Sequence, residues 1–275
     1  MKEKICFYTP PFPRVRTYYD MVDASAEFGL KYIEGFCALD FAAPDIEAAK
    51  RIKEYADSKG IGFSCFSVYI NLVGDDRKEQ LERLKDYAQV AAILGSPYLH
   101  HTIANDFSNP DNVLPYKEIL FQRGIDAVRE IYDYCKPLGV RAVYEEQGFL
   151  FNGIEGYKKF LDTVNRDVGV VADFANIRQA GDNICDFIEA FSDRIVHAHI
   201  KDVLLNDEQG TTGLKTLPGN YMHEAIIGTG DIDIKRGIEL LKNSDFNGFY
   251  GIEYGASEND STIIQESIDY ISSLL

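Results

Sequence analysis

Short runs of apolar and β-branched residues alternate along the chain with longer stretches in which apolar positions recur at helical spacing, and the alternation repeats eight times. Ile5 to Tyr8 reads as a first strand, ended by the turn-rich Pro10-Pro11-Phe12-Pro13, and Tyr18 to Phe28 as a helix closed by Gly29. The next three strands are expected over Tyr32–Phe36, Ile61–Tyr69 and Pro97–Thr102. Between them lie a helix from Pro44 to Ser58, with proline at its start and Gly60 past its end, and a helix from Asp75 to Leu94 that stops at Gly95. A polar loop with Asn109-Pro110-Asp111 leads into a long helix, Pro115 to Cys135. Val140–Glu145, Val168–Asp173, Ile195–Ile200 and Phe249–Glu253 read as strands five to eight. Helices are expected over Ile154–Val164, between Ala175 and Phe191, and over Ile234–Leu241 and Thr262–Leu275, with Leu204 to Gly230 a long polar loop. Eight strand–helix units without a linker predict a (β/α)8 TIM barrel, one domain over 1–275. A doubly wound open sheet is the competing arrangement, disfavoured by the regular repeat and the absence of a Gly-rich first turn.

In such a barrel the reactive groups stand at the carboxyl ends of the strands. The seventh strand, Ile195-Val196-His197-Ala198-His199-Ile200, is the most informative, because alternation sends Ile195, His197 and His199 to one face of a buried strand. Strand five closes on Glu145, strand six on Asp173, strand seven on His199 and strand eight on Glu253. The residues below them on the same face are small or β-branched: Val143, Gly169, Val171 and Gly251. Glu146 and Tyr254 fall on the other parity. Three carboxylates buried together are strongly unfavourable unless a cation compensates them, so this set predicts a divalent metal held by Glu145, Asp173, His199 and Glu253. Three oxygen donors and one nitrogen suit Mn2+ first, with Co2+, Mg2+ and Zn2+ as alternatives. His197, one layer deeper, is expected to support His199.

These strand ends resemble the xylose isomerase-like barrels that include sugar isomerases and epimerases. The likeness lies in Gly139–Gly148, in Val168–Gly181 with Asp173-Phe174-Ala175-Asn176, in Val196–Asp202, in the Gly-x-Gly turn Ile227–Asp233 and in Phe246–Tyr254. The motifs are specific to the superfamily and not to one reaction. The resemblance implies a metal-dependent isomerase or epimerase acting on a keto-sugar or keto-inositol through an enediolate, with Glu145 and Glu253 as the acid/base pair. The 3-epimerases carry a substrate-binding His where this chain has Asn176, and many relatives have His where Gln147 stands. Lys201-Asp202 and the long following loop with His223 look more like inosose dehydratases, which makes a dehydratase the alternative reaction. Lys201 is a candidate for a substrate oxygen or a leaving hydroxyl, an ion pair with Asp202 being its other use. His101 or its neighbour His100, of which only one can face the interior, and Glu34 at the end of strand two are further candidates for substrate contact, a structural role being the other use of Glu34.

Charge and composition narrow the partners. A formal charge of −16 argues against a nucleic-acid backbone or an anionic membrane surface, and five histidines are few for a multi-metal abasic-site endonuclease of the same fold. A non-catalytic metal-binding barrel is the non-enzymatic option. No apolar run approaches transmembrane length, and five scattered cysteines without a CxxC pair fit reduced thiols, so a cytoplasmic protein is expected. The expected partner is a small carbohydrate without phosphate, since no Arg/Lys/Ser cluster marks a phosphate site; a homo-oligomer is compatible with the sequence. The 17 Tyr and 17 Phe are enough to supply apolar walls for sugar faces as well as core.

Overall fold

The computed structural model describes residues 4–8, 15–104, 116–146, 150–253 and 261–275. Gln147, Tyr254, the proline turn at 10–13 and the loop at 109–111 lie outside them. Eight parallel strands close into a barrel in the order β1-β11-β7-β6-β5-β4-β3-β2, which rules out the open doubly wound sheet. They are β1 (Ile5–Phe7), β2 (Tyr32–Phe36), β3 (Gly62–Val68), β4 (Tyr98–His101), β5 (Arg141–Glu145), β6 (Gly169–Asp173), β7 (Ile195–Ile200) and β11 (Phe249–Ile252). Helices α1 (Tyr18–Glu27), α2 (Ile46–Lys59), α3 (Arg77–Leu94), α4 (Lys117–Cys135), α5 (Ile154–Val164), α8 (Ile234–Asn243) and α9 (Ser261–Leu274) fill the expected positions. The helical stretch after β6 is two short helices, α6 (Phe174–Ala180) and α7 (Ile184–Phe191), broken at Gly181 with φ +93°.

Local chemistry sets most helix ends. Thr17 and Asp20 form a reciprocal capping box on α1, Asp45 caps α2, and Gly60 and Gly95 close α2 and α3 in the left-handed conformation. The main apolar cluster lies between barrel and helices, with Tyr18, Phe41, Phe66, Tyr144, Tyr157, Phe160 and Phe187 among its fully buried members. Each large apolar side chain removed from water in this way contributes about 1.5–3 kcal/mol. Inside the barrel, Cys65, Val143 and Val171 form a small separate apolar floor, with Val196 against it.

Two expectations change. β6 and β7 shift register between Val170 and Val171, so that Val170 pairs with Ile195 and Val171 with His197. The bulge leaves Ile195 in the outer cluster and Val196 against the interior floor, and alternation toward the site begins only at His197. The second change is the long polar loop, which is a three-stranded antiparallel sheet of β8 (Asp202–Asn206), β9 (Leu214–Lys215) and β10 (Tyr221–Ala225) in the order β8-β10-β9. Only Val203, Met222 and Ala175 form its buried patch, so its hydropathy reads as loop although its backbone is paired.

The base of this sheet is tied to one side chain. Asp202 is buried, and its carboxylate accepts the backbone N–H groups of Gly228, Gly230, Ile232 and Val203 at 2.8–3.3 Å. Gly230 must be glycine, because a Cβ there would collide with that carboxylate. Asp202→Ala would leave these amides, that of buried Val203 among them, without their acceptor. The variant should lose about 1–3 kcal/mol of stability, read as a lower urea midpoint at unchanged m-value.

Candidate metal and substrate site

The strand ends predicted from parity meet in space. Asp173 and Gly251 both register with His199 across adjacent strands, and the Glu253 amide donates to the Ile200 carbonyl at 3.1 Å. Around His199 Nδ1 stand Glu145 Oε2 at 3.3 Å, Asp173 Oδ2 at 3.7 Å and Glu253 Oε2 at 3.7 Å. Metal–ligand bonds of about 2.0–2.3 Å put neighbouring ligand atoms about 2.8–3.7 Å apart, which is this spacing. His199 Nδ1 is a buried nitrogen without a hydrogen-bond partner, and one ligand atom each from Glu145, Asp173 and His199 lies within 4.8 Å of the others. The donor set, its spacing and the orphaned nitrogen fit a divalent cation.

Each ligand is held by its own element. Asp173 caps α6: its Oδ1 accepts the amides of Ala175 and Asn176 at 2.9 and 2.8 Å, which leaves Oδ2 for the centre. His199 Nε2 donates to Glu34 at 3.0 and 3.2 Å, and Tyr8 stacks on the imidazole with centroids 5.0 Å apart. Glu145 Oε1 lies 3.6 Å from His100 Nε2, and Glu253 Oε1 accepts from Lys201 at 3.2 Å.

Electrostatics follow from burial and crowding. Burial pushes the Glu145 carboxyl up to about 8; Asp173 and Glu253 add to the rise, and His199 opposes it. Burial also raises Glu253, against the pull of Lys201. Burial works the same way on Asp173, but His199, Lys201 and the Asn176 amide outweigh it and hold the group below its usual range. Burial disfavours the His199 imidazolium, yet Glu34, Asp173 and Glu145 together raise it well above the usual imidazole range. The cluster thus calls for positive charge at this nitrogen. A metal ion there would replace the proton.

The remaining candidates divide. Lys201 and Asn176 line a cavity of about 550 Å3 together with the four ligands, Gln179 and His100. Lys201 pairs with Glu253 and, at 3.7 Å, with Glu224, and not with Asp202, which is turned into the Gly-x-Gly segment. His101 faces away from the cavity: its Nε2 meets the Tyr144 hydroxyl and its Nδ1 the Thr102 carbonyl, both at 2.8 Å, so it does not contact a ligand there. The interior residue of the pair is His100. Glu34 is 0% exposed beneath His197 and His199, out of reach of a sugar hydroxyl. Glu146 is buried on the outward side, where it accepts the Gly153 amide. Two contributors were missed in the sequence, Tyr8 and Ser67. The position of Tyr8 just past the end of strand one is the signal that could have found it. Ser67 lies inside its strand, one residue before the end, and gives no such signal. Tyr8, Phe36, Val68, Tyr69 and Leu214 form the apolar wall of the cavity.

A family model described as xylose isomerase-like TIM barrel matches residues 22–274. No curated protein matches the sequence. Among solved structures, D-psicose 3-epimerase from Clostridium cellulolyticum H10, in complex with D-tagatose, superposes with a TM-score of 0.76 at 16% identity over 99% of each chain. A xylose isomerase-like TIM barrel protein from Mycobacterium smegmatis in complex with magnesium gives 0.74 at 15%, over 94% of this chain and 87% of that one. A probable 3-DHS dehydratase from Bacillus anthracis gives 0.76 at 16%, over 98% of each. At these identities the likeness is one of fold.

Metal binding at His199 Nδ1 needs the imidazole without its Nδ1 proton and is strengthened by an ionised Glu145, whose Oε2 faces the centre while Oε1 is the oxygen that can keep a proton. Both groups hold protons at pH values where free carboxyl and imidazole groups have lost them. Affinity for Mn2+ should therefore rise with pH through about 8, where Glu145 ionises, and proton release should shrink over that range to the His199 proton alone. Calorimetry in buffers of different ionisation enthalpy reads both. Saturation at about 100 times Kd should stabilise the fold by about 2.7 kcal/mol.

Proposed function

The chain belongs to the xylose isomerase-like TIM-barrel family, and from that premise we propose that it is a metal-dependent isomerase or epimerase of a keto-sugar or keto-inositol. The observation that carries the reading is the placement of two carboxylates in unlike surroundings. Glu253, His199, Asp173 and Glu145 come from four successive strands of the barrel wall, so the two glutamates end an arc with His199 and Asp173 between them. A substrate seated against the arc presents one face to each. Glu145 is nearly sealed, with its side chain 6% exposed and its carboxyl raised to about 8, beside a neutral His100. Glu253 is 23% exposed and paired with the Lys201 ammonium. Two acids whose environments differ in this way can start a turnover in opposite protonation states.

Glu145, Asp173, His199 and Glu253 would hold the cation, which we assign as Mn2+ from the donor set. When bound, it acidifies the C–H between a chelated carbonyl and hydroxyl and stabilises the enediolate charge. Glu253, the more accessible carboxylate, takes the proton, and Glu145 delivers one from the other side. Return to the same carbon epimerises; return to its neighbour isomerises. Asn176 and Lys201 bind hydroxyls along the cavity, and Tyr8, Phe36 and Leu214 pack the apolar face of the sugar. Lys201 is the one Lys or Arg among the described cavity residues and already faces two carboxylates, which supports a substrate without phosphate. The Lys201 ammonium also favours a second reading, a dehydratase in which this group protonates a leaving β-hydroxyl. The cytoplasm is the compartment we assign; no helix of the described residues is long and apolar enough to cross a membrane.

Glu145→Gln should stay folded and lower solvent-deuterium incorporation into a ketose substrate by about 10²-fold or more. Incorporation at the wild-type rate, followed by proton NMR, would remove Glu145 from the mechanism. Ultraviolet absorbance from an enone product would favour the dehydratase over the isomerase.

A further inference from the structure

Beneath the cavity lies a hydrogen-bonded layer that the proton transfers above do not use. Glu34 on β2 is fully buried and takes donors from two other strands. His197 Nε2 reaches its Oε2 at 2.6 Å, the Ser67 hydroxyl its Oε1 at 2.6 Å, and His199 Nε2 both oxygens at 3.0 and 3.2 Å. Ser67 Oγ is in turn 3.0 Å from His100 Nδ1. A carboxylate has no proton to give. The two imidazoles facing it must therefore carry hydrogen on Nε2, and the Ser67 hydroxyl must point at Oε1. With its hydrogen committed, Ser67 can only accept from His100, whose proton then sits on Nδ1. His197 Nδ1 is left without a proton in the deeper layer; toward the cavity the nitrogens left to offer lone pairs are His199 Nδ1, once its proton is displaced, and His100 Nε2. Both are buried without a hydrogen-bond partner, and they lie 3.3 and 3.6 Å from the two oxygens of Glu145.

We propose that Glu34 is a positioning residue that assigns the tautomer of His199 and, through Ser67, that of His100, so that both imidazoles present lone pairs to the cavity. The inference rests on the metal site proposed above. A neutral imidazole protonated on Nδ1 cannot ligate through that atom, and partners on the far nitrogen decide between the forms. Gly251 keeps the arrangement open, since a Cβ there would lie 3.2 Å from Glu34 Oε2 and 3.3 Å from His199 Cδ2.

Glu34→Gln tests this. The amide fills the same volume but turns one acceptor into a donor, which faces His199 Nε2 from either oxygen position and opposes Ser67 from the one or His197 from the other. Mn2+ is titrated by calorimetry into wild type, E34Q and S67A, with circular dichroism as the check on folding. E34Q should bind Mn2+ about 10–100-fold more weakly, and S67A, which frees only His100, within about twofold of wild type. Nitrogen-15 imidazole spectra of the wild type give a readout that packing alone does not move. In the metal-free protein His100 should carry its proton on Nδ1 and His197 on Nε2, and in the Zn2+-loaded protein His199 should carry its proton on Nε2. E34Q affinity equal to wild type overturns the proposal, as does a raised KM with unchanged Mn2+ binding, which would make Glu34 a substrate contact. If E34Q does not fold, the wild-type spectra decide, and the opposite tautomers overturn it. A wild type that binds no divalent ion overturns the metal site and this proposal together.

Discussion

The structure depends on one electrostatic constraint, the convergence of three carboxylates on a single imidazole nitrogen inside a closed barrel. Glu145, Asp173 and Glu253 all approach His199 Nδ1 within 3.7 Å, and a fourth carboxylate, Glu34, closes on Nε2 from below. Such a concentration of negative charge is tolerable in a buried site only with a cation among its members. Asp173 is steadied by the amides at the start of α6, Glu253 by Lys201, and Glu34 by two imidazoles and a hydroxyl. Glu145 is the least steadied: burial, with Asp173 and Glu253 adding to it, raises its carboxyl to about 8 against the pull of His199.

Much of this was legible in the sequence, for a physical reason. A parallel strand covered on both sides must be apolar along its length, so a charged residue at its carboxyl end is conspicuous, and barrel geometry brings such ends together. Glu145, Asp173, His199 and Glu253 were found by that rule. It fails where the backbone departs from regularity. The bulge at Val170–Val171 inverted the expected side of Ile195 and Val196. On β4, two consecutive histidines left the interior face undecided, and only the strand's pairing with β3 and β5 turns His100 inward. Glu34 was read as a candidate for a sugar hydroxyl, with a structural role as its other use, because a strand end gives no depth. Its three donors come from residues 33, 163 and 165 positions away in sequence.

The antiparallel sheet after β7 failed for a different reason. Its strands are short and mostly solvent-facing, and their stability comes from backbone pairing and from the grip of Asp202 on four amides, neither of which leaves a hydrophobic signature. The same grip explains why Lys201 and Asp202, adjacent in sequence, do not pair. Alternation sends the ammonium toward Glu253 and the carboxylate into the Gly-x-Gly turn.

That grip has an architectural consequence. Asp202 holds residues at both ends of the excursion, Val203 where it leaves the barrel and Gly228 to Ile232 where it returns, so the segment between them is tethered at a neck. Length or composition beyond the neck can change without passing a displacement to β7 and its histidines. Leu214, on the tethered segment, lines the cavity, and the backbone of Leu217 donates to the Gln179 carbonyl. The wall that meets the far end of a substrate is thus anchored at the neck and joined to the ligands that meet its reacting end through two side contacts, Glu224 with Lys201 and Leu217 with Gln179 on α6.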